Sequence, residues 1–262
     1  MTHQLKGKWY HRYGTAPCPG CQPTNHNGSA LTLRDGDAGW LLLHCKKANC
    51  EYRDILVAAG ITPGSHSKPN PANIAKRKAE RQAQSRRRSS QASSLWKEAQ
   101  PIDGTPAETY LREARGITCS LPDTLRFHPQ CWHGPTAKQY PALVAFVQGS
   151  DGACVHRTYL RADGTNKAAL DRKKMMLGGA AGGAVKLTDG PEALVVAEGI
   201  ETALSLASGL LHGPATIWAA LSTSGIRALR LPDAPAQLTI APDGDTAGRK
   251  AANVLADRAH AL

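Results

Sequence analysis

The chain has 262 residues and a formal net charge of +11, from 32 Lys and Arg against 21 Asp and Glu. That length allows two or three small domains, and a hydrophobic content of 41% is enough for packed cores. The positive surplus favours a polyanionic partner, nucleic acid first, over the plainer reading of a merely soluble basic protein. The start, Met1-Thr-His-Gln-Leu-Lys-Gly-Lys-Trp-Tyr, has no apolar core of a signal peptide. No apolar run approaches the ~20 residues that span a bilayer. The expectation is a cytoplasmic protein with no membrane contact, in which the seven Cys are metal ligands or free thiols.

In chain order, Cys18-Pro-Gly-Cys21 is a C-x₂-C knuckle and Cys45-Lys-Lys-Ala-Asn-Cys50 a second pair. Between them, Ala30-Leu-Thr-Leu-Arg and Trp40-Leu-Leu-Leu-His44 flank Asp35-Gly-Asp-Ala-Gly39, which reads as a β-hairpin. Two thiolate pairs held by a hairpin make a tetrahedral site for one structural Zn²⁺ on Cys18, Cys21, Cys45 and Cys50, with His26 or His44 able to replace one Cys. A segment this short has little core of its own, which favours a metal over four unligated thiols. Asp54 to Ala59 reads as a short helix closed by Gly60.

From Thr62 to Gln100 the composition changes. Pro63, Gly64, Pro69 and Pro71 break structure, and residues 68 to 97 carry nine Lys and Arg against one acid, Glu80. Without an apolar stripe this is a linker or a solvated helix. Lys76, Arg86, Arg87 and Arg88 are candidates for phosphate contact, weighed equally against a solvated tether. Next, Thr105 is read as the N-cap of a helix, with Pro106 in its first turn and Glu108 completing a capping box. Leu125–His128, Ala142–Val147 and Cys154–Leu160 read as strands, with a turn at Ser150-Asp151-Gly152. Arg157, Lys167, Arg172, Lys173 and Lys174 are further candidates for template or nucleotide phosphates, although solvated basic side chains are commoner. Cys119, Cys131 and Cys154 lack metal spacing and read as packing thiols, and His128, His133 and His156 as surface or satisfied core residues. Gly178 to Gly183 reads as a flexible hairpin loop.

The last segment repeats strand, loop, helix. Ala193-Leu-Val-Val-Ala197 runs into Glu198-Gly-Ile-Glu-Thr-Ala203, and Leu238-Thr-Ile-Ala241 into Pro242-Asp-Gly-Asp245. Such a repeat gives a parallel α/β sheet whose working groups lie beyond the carboxyl ends of its strands, where Glu198, Asp243 and Asp245 fall. Three carboxylates there repel one another unless a cation intervenes, and hard oxygen ligands suit Mg²⁺. The plainer reading makes Asp245 a helix N-cap and Glu198 an ordinary loop carboxylate. Gly244 is expected to bend the turn so that both aspartates reach one ion. Ile200–Gly209, Thr223–Leu229 and Thr246–Ala261 read as helices and Thr216–Ala220 as a strand.

Glu198-Gly-Ile-Glu-Thr-Ala followed by Asp243-Gly-Asp245-x-x-Gly resembles the Toprim domain of topoisomerases, primases and some nucleases, nearest to the phage and plasmid primase branch. The run from His44 to Gly60 resembles the zinc ribbon of phage-type primases. Tyr110-Leu-Arg, Arg115-Gly-Ile, His156-Arg-Thr-Tyr-Leu and Met176-Leu-Gly resemble the region before Toprim in the same proteins. The resemblance implies catalytic residues Glu198, Asp243 and Asp245, with Glu198 as acid/base and the aspartates on catalytic Mg²⁺. It also implies a ribbon that helps to recognise single-stranded template. The expected organisation is a zinc ribbon over 1–60, a basic linker over 61–95, a central α+β region over 96–190 and a Toprim α/β domain over 191–262. The class is thus α+β and α/β multidomain, with the Toprim sheet shortened because the chain stops near the helix after Asp245. The implied activity is Mg²⁺-dependent primer synthesis from ribonucleoside triphosphates on single-stranded DNA of a phage, plasmid or mobile element, weakened by the short Toprim domain. Any replicative helicase is then a separate chain. The alternatives are a Toprim nuclease and a non-catalytic, zinc-dependent module that binds or loads single-stranded DNA.

Overall fold

The computed structural model describes residues 1–10, 13–24, 28–36, 40–62, 70–191, 193–211, 213–232 and 237–261. His26, the turn residues 37–39, the breakers at 63, 64 and 69, Lys68 and Leu262 lie outside the described residues. The chain forms two compact units, Met1–Ala83 and Gln84–Leu262. No helix among the described residues is long and apolar enough to cross a membrane.

The first unit is an antiparallel sheet of four strands in sequence order, β1 (Lys8–Tyr10), β2 (Tyr13–Ala16), β3 (Leu31–Asp35) and β4 (Leu41–Cys45). The expected hairpin is its β3–β4 half, in register from Leu31 opposite Cys45 to Asp35 opposite Leu41. The two strands before it are additional to the hairpin reading. They are short, and Trp9, Tyr10 and Tyr13 are exposed, so no alternating apolar pattern announces them. Alternation puts Ala16, Leu31, Leu33 and Cys45 on the inner face, where Ile55 of α1 (Tyr52–Ala58) packs on them. Gly60, with φ of +70°, ends that helix.

Helix α2 (Pro71–Glu98) runs through the boundary between the units. Its basic stretch is exposed, as a solvated helix should be. Only its last turns enter a core, through buried Ala92 and the partly buried Leu95 and Trp96.

In the second unit, β5 (Gln100–Pro101), β6 (Leu125–His133), β7 (Lys138–Val147), β8 (Cys154–Tyr159) and β9 (Lys174–Leu177) form an antiparallel sheet in chain order. One face, with Val144, Val155 and Tyr159, takes the end of α2. The other, with Phe127, Leu143 and Cys154, packs on α3 (Pro106–Arg112). The same core continues into Val195, Ala197 and Ile217 of a second sheet. That sheet has the order β10 (Val185–Thr188), β12 (Thr216–Ala219), β11 (Ala193–Ala197), β13 (Gln237–Ala241). Helix α4 (Ile200–Ser205) lies in the shared core, while α5 (Thr223–Ala228) and α6 (Thr246–His260) cover the far face through Ile226, Ala251 and Leu255.

Four expectations change. The sheet is parallel across β12, β11 and β13, but β10 joins it antiparallel. Residues 178–183 do not close a hairpin, because β9 pairs with β8 and β10 with β12, so the glycines carry the chain between two sheets. The capping box does not form, since the Thr105 N–H that Glu108 would take goes to the Ile102 carbonyl instead. Glu108 accepts from the N–H of Gly104 at 2.7 Å, but the Thr105 hydroxyl donates to the carbonyl of Ile102 and so does not cap the helix. The first helix of the last segment is also shorter than expected. It ends at Ser205 in a widened turn, Leu206–Leu210, where Gly209 takes a φ of +116°.

Candidate functional site

Parallel pairing of β11 with β13 sets Ala197 opposite Ala241, so Glu198 leaves the sheet beside the Pro242–Asp245 turn. The link continues past the strands, with the Glu198 N–H donating to the Ala241 carbonyl and the Leu221 N–H to the Glu198 carbonyl. Leu221 takes a φ of +71°, a left-handed conformation uncommon for a branched side chain, which costs on the order of 1–3 kcal/mol. The strained residue thus holds the backbone of Glu198.

The Glu198 carboxylate has one buried oxygen, Oε2, with no hydrogen-bond partner among the described residues. Burial pushes its carboxyl above the usual carboxylate range, and the charges of Asp243 and then Asp245 add to this, against the opposing pull of the Asp243 and Thr223 N–H groups. Asp243 and Asp245 are exposed. Asp245 caps α6, its Oδ1 accepting from the Gly248 N–H at 2.7 Å, so the plainer reading of this residue holds for one of its oxygens. The glycine that packing demands here is Gly248, where a Cβ would lie 2.3 Å from the Asp243 carbonyl oxygen. Gly244 has open space around it and no positive φ, so it is not the residue that lets the turn form. The structure brings the three acids into one electrostatic neighbourhood. They are not gathered as tightly as a preformed ligand set, since the cysteines are the only such group among the described residues.

One acid was missed by sequence reasoning. Glu201, in the first turn of α4, accepts from the Tyr110 hydroxyl at 2.9 Å and pairs with Lys167 at 2.9 Å and Lys174 at 2.8 Å. Despite burial, which acts the other way, Lys174 and Lys167 hold its carboxyl far below the usual range. The only advance signal is its place three residues after Glu198 in a helix that is otherwise apolar and small. Nothing in the sequence says which lysines reach it.

Cys18, Cys21, Cys45 and Cys50 place their sulfurs within 4.8 Å of one another, with Cys21 Sγ 3.5 Å from Cys45 Sγ. A tetrahedral zinc with Zn–S near 2.3 Å needs S···S of about 3.8 Å, so the set fits one ion. Burial opposes the Cys45 thiolate, but the N–H groups of Ala48, Cys50 and Lys47 outweigh it and bring the thiol down to about 6. Burial and the neighbouring sulfurs push Cys50 up to about 12. His44 is exposed and Cys45 buried on the adjacent, opposite-facing position of β4, so His44 is not part of the set.

The basic candidates divide. Lys76, Arg86, Arg87 and Arg88 are exposed on α2, and Lys173 is exposed immediately before β9. Arg157 is 7% exposed, and its guanidinium donates to the carbonyls of Trp132 and Met176, which makes it a packing residue and not a phosphate contact. Lys174 is held by Glu201. Cys131 and Cys154 are buried packing thiols, and His133 is satisfied by Thr136 and the Arg172 carbonyl. His156 is not satisfied among the described residues, since its buried Nδ1 has no partner there.

Two outcomes are expected. Freshly purified, reduced protein should contain one zinc per chain by elemental analysis, and Cys45→Ser should lose the metal and unfold the segment up to about Gly60, because metal binding there is folding energy. The proton on Glu198 is held more tightly folded than unfolded, so its contribution to stability is present in acid and is lost as pH rises through its raised value. Glu198→Gln should therefore melt above the native protein at pH 8 without Mg²⁺, and match it near pH 4. An equal or lower melting temperature at pH 8 would show that the repulsion is relieved within the protein.

Residues 193–262 match the family model described as Toprim domain, and residues 86–187 match a domain of unknown function, DUF7146. Comparison with curated proteins and comparison with solved structures returned no match. Toprim domains bind Mg²⁺ and occur in enzymes of the primase, nuclease and topoisomerase type that act on nucleic acids. The C-terminal segment of this chain, with Glu198 and the Asp243–Asp245 turn at its strand ends, carries a Toprim domain.

Proposed function

We propose that the chain is a primase-like nucleotidyltransferase that makes short RNA primers on single-stranded DNA in a Mg²⁺-dependent reaction. The observation that carries this reading is the Glu198 carboxylate, part-buried with an unpartnered oxygen and set in the field of two aspartates at the end of β11. Such a site fits a hard divalent cation, held by Glu198, Asp243 and the Asp245 oxygen outside the helix cap. Mg²⁺, when bound, neutralises triphosphate charge and acidifies a primer 3′-hydroxyl. Glu198 is placed to take that proton, because its Oε2 has no hydrogen-bond partner among the described residues. Asp243 and Asp245 hold negative charge at the mouth of the site. The exposed cations of α2 supply sequence-tolerant attraction for the template strand, and the cysteine unit presents exposed Tyr10 and Tyr13, stacked at 5.2 Å, as an aromatic surface for unpaired bases.

Incubation with single-stranded DNA, labelled ribonucleoside triphosphates and Mg²⁺ should give short RNA, and Glu198→Gln should lower its yield by about 100-fold or more, within the range general acid–base catalysis supplies. Nicked DNA in place of RNA would move the assignment to a Toprim nuclease. Neither product, with strand binding intact, would leave a binding or loading module. Replacing Arg86, Arg87 and Arg88 together by Ala should lower the slope of log affinity against log salt by about 2, at roughly 0.7 per phosphate contact on single strands. An unchanged slope would make that part of α2 a solvated spacer.

A further inference from the structure

The end of the β6–β7 hairpin carries Trp132, 53% exposed, on whose indole no other ring or cation stacks among the described residues. Its backbone is held more firmly than an exposed strand end requires. The Trp132 carbonyl accepts from the Tyr159 hydroxyl at 2.7 Å and from the buried Arg157 guanidinium at 3.1 Å. The next residue, His133, is buried, with both ring nitrogens engaged by Thr136 and the Arg172 carbonyl. Its ring meets Tyr159 and Tyr140 edge-on, with centres 4.7 Å and 5.8 Å away. A bulge between His128 and Cys131 shifts the register by one residue. Past it Trp132 stands opposite Gln139, on the face of Leu143, which packs in the shared core with Ile200 and Leu204 of α4. Without the extra residue Trp132 would fall on the face that takes α2.

Among the described residues Trp132 is the one large exposed hydrophobic side chain on this sheet, and its surroundings are polar. Lys138, Arg172 and Lys173 are exposed around the hairpin end, and Asp171, the acid beside them, pairs with none of the three. A protein-binding hot spot sits in an apolar surround that excludes water, which a single ring among cations lacks. An unpaired nucleotide matches it better, since its base offers a π face to the indole and its phosphate a charge to the cations. We infer that Trp132 is a stacking platform for an unpaired base of single-stranded DNA, fixed through its carbonyl by Tyr159 and Arg157. Buried Arg157 thereby acts on the strand without touching it, as a positioning residue. The inference rests on the nucleic-acid reading above but not on primer synthesis.

The test compares two strands of equal length and charge, single-stranded DNA and its abasic counterpart, by fluorescence anisotropy with the full chain. Trp132→Ala should weaken the DNA strand about tenfold, within the range that stacking on one aromatic side chain supplies, and leave the abasic strand unchanged. Trp132→Phe should recover most of the loss. The slope of log affinity against log salt should stay at the native value, since no phosphate contact is removed. Circular dichroism separates lost binding from lost fold, and Trp132→Leu, which keeps apolar bulk without a π face, carries the test if Trp132→Ala does not fold. Unchanged affinity for the DNA strand in the folded variant would overturn the platform and leave the ring to a protein partner. Equal losses on the two strands would overturn it as well, because the contact would then be with the backbone. Trp132-dependent binding by a protein that makes no primers would leave the platform standing and reject primer synthesis instead.

Discussion

Strand β11 is hydrogen-bonded on both sides, to β12 and to β13, in parallel register from Leu194 to Ala197 on each. Everything chemical in the C-terminal segment depends on that pairing. Parallel strands put their carboxyl ends at one edge, so Glu198, Leu221 and the Pro242–Asp245 turn meet without any one of them having to reach far. The pairing can hold because both faces of β11 are buried, Val195 and Ala197 in the shared core, Leu194 and Val196 under α5 and α6. A one-residue slip would exchange these sets and move Glu198 out of the turn.

The same edge holds opposed demands. Asp245 serves the fold through its cap on α6 and adds to the negative field around Glu198. Gly248 is required by close approach to the Asp243 carbonyl, so the position of that aspartate and the packing of α6 are one constraint. The Glu198 side chain is tied less completely, since the Asp243 and Thr223 N–H groups act on its carboxylate while Oε2 has no partner among the described residues. A part-buried carboxylate with an unpartnered oxygen beside two like charges lowers stability, and the strained Leu221 backbone lowers it further. Costs of this kind gather where chemistry needs charge held in place.

The sequence made the strand–loop–helix repeat, the cysteine pairs and the exposed basic helix legible, because each is carried by local pattern: apolar runs broken at Gly or Pro, fixed Cys spacing, and charge without an apolar stripe. What it hid was set by partners distant in sequence. β10 pairs antiparallel with β12 after residues 178–183 cross between sheets, and a glycine run reads the same whether it turns back or crosses over. β1 and β2 carry exposed aromatics and only three and four residues, too few for a period to show. Arg157 looked like a surface cation until β8 proved buried along its whole length. Glu201 was invisible as an ion-pair centre, since Lys167, Lys174 and Tyr110 lie 27 to 91 residues away along the chain.

Charge therefore appears in this chain in two physically different forms. On α2 the cations are exposed and separated from any core, so salt screens them and their attraction for phosphate is long-ranged and indifferent to geometry. Around Glu201 the charges are part-buried and fixed by hydrogen bonds, so screening is weak and position matters. The first form can gather a polyanion but cannot orient it. The second can orient a group only once it has arrived, because a half-buried cluster at a seam offers little capture area. The two forms stand on separate elements, α2 and the seam of Lys167, Lys174 and Glu201.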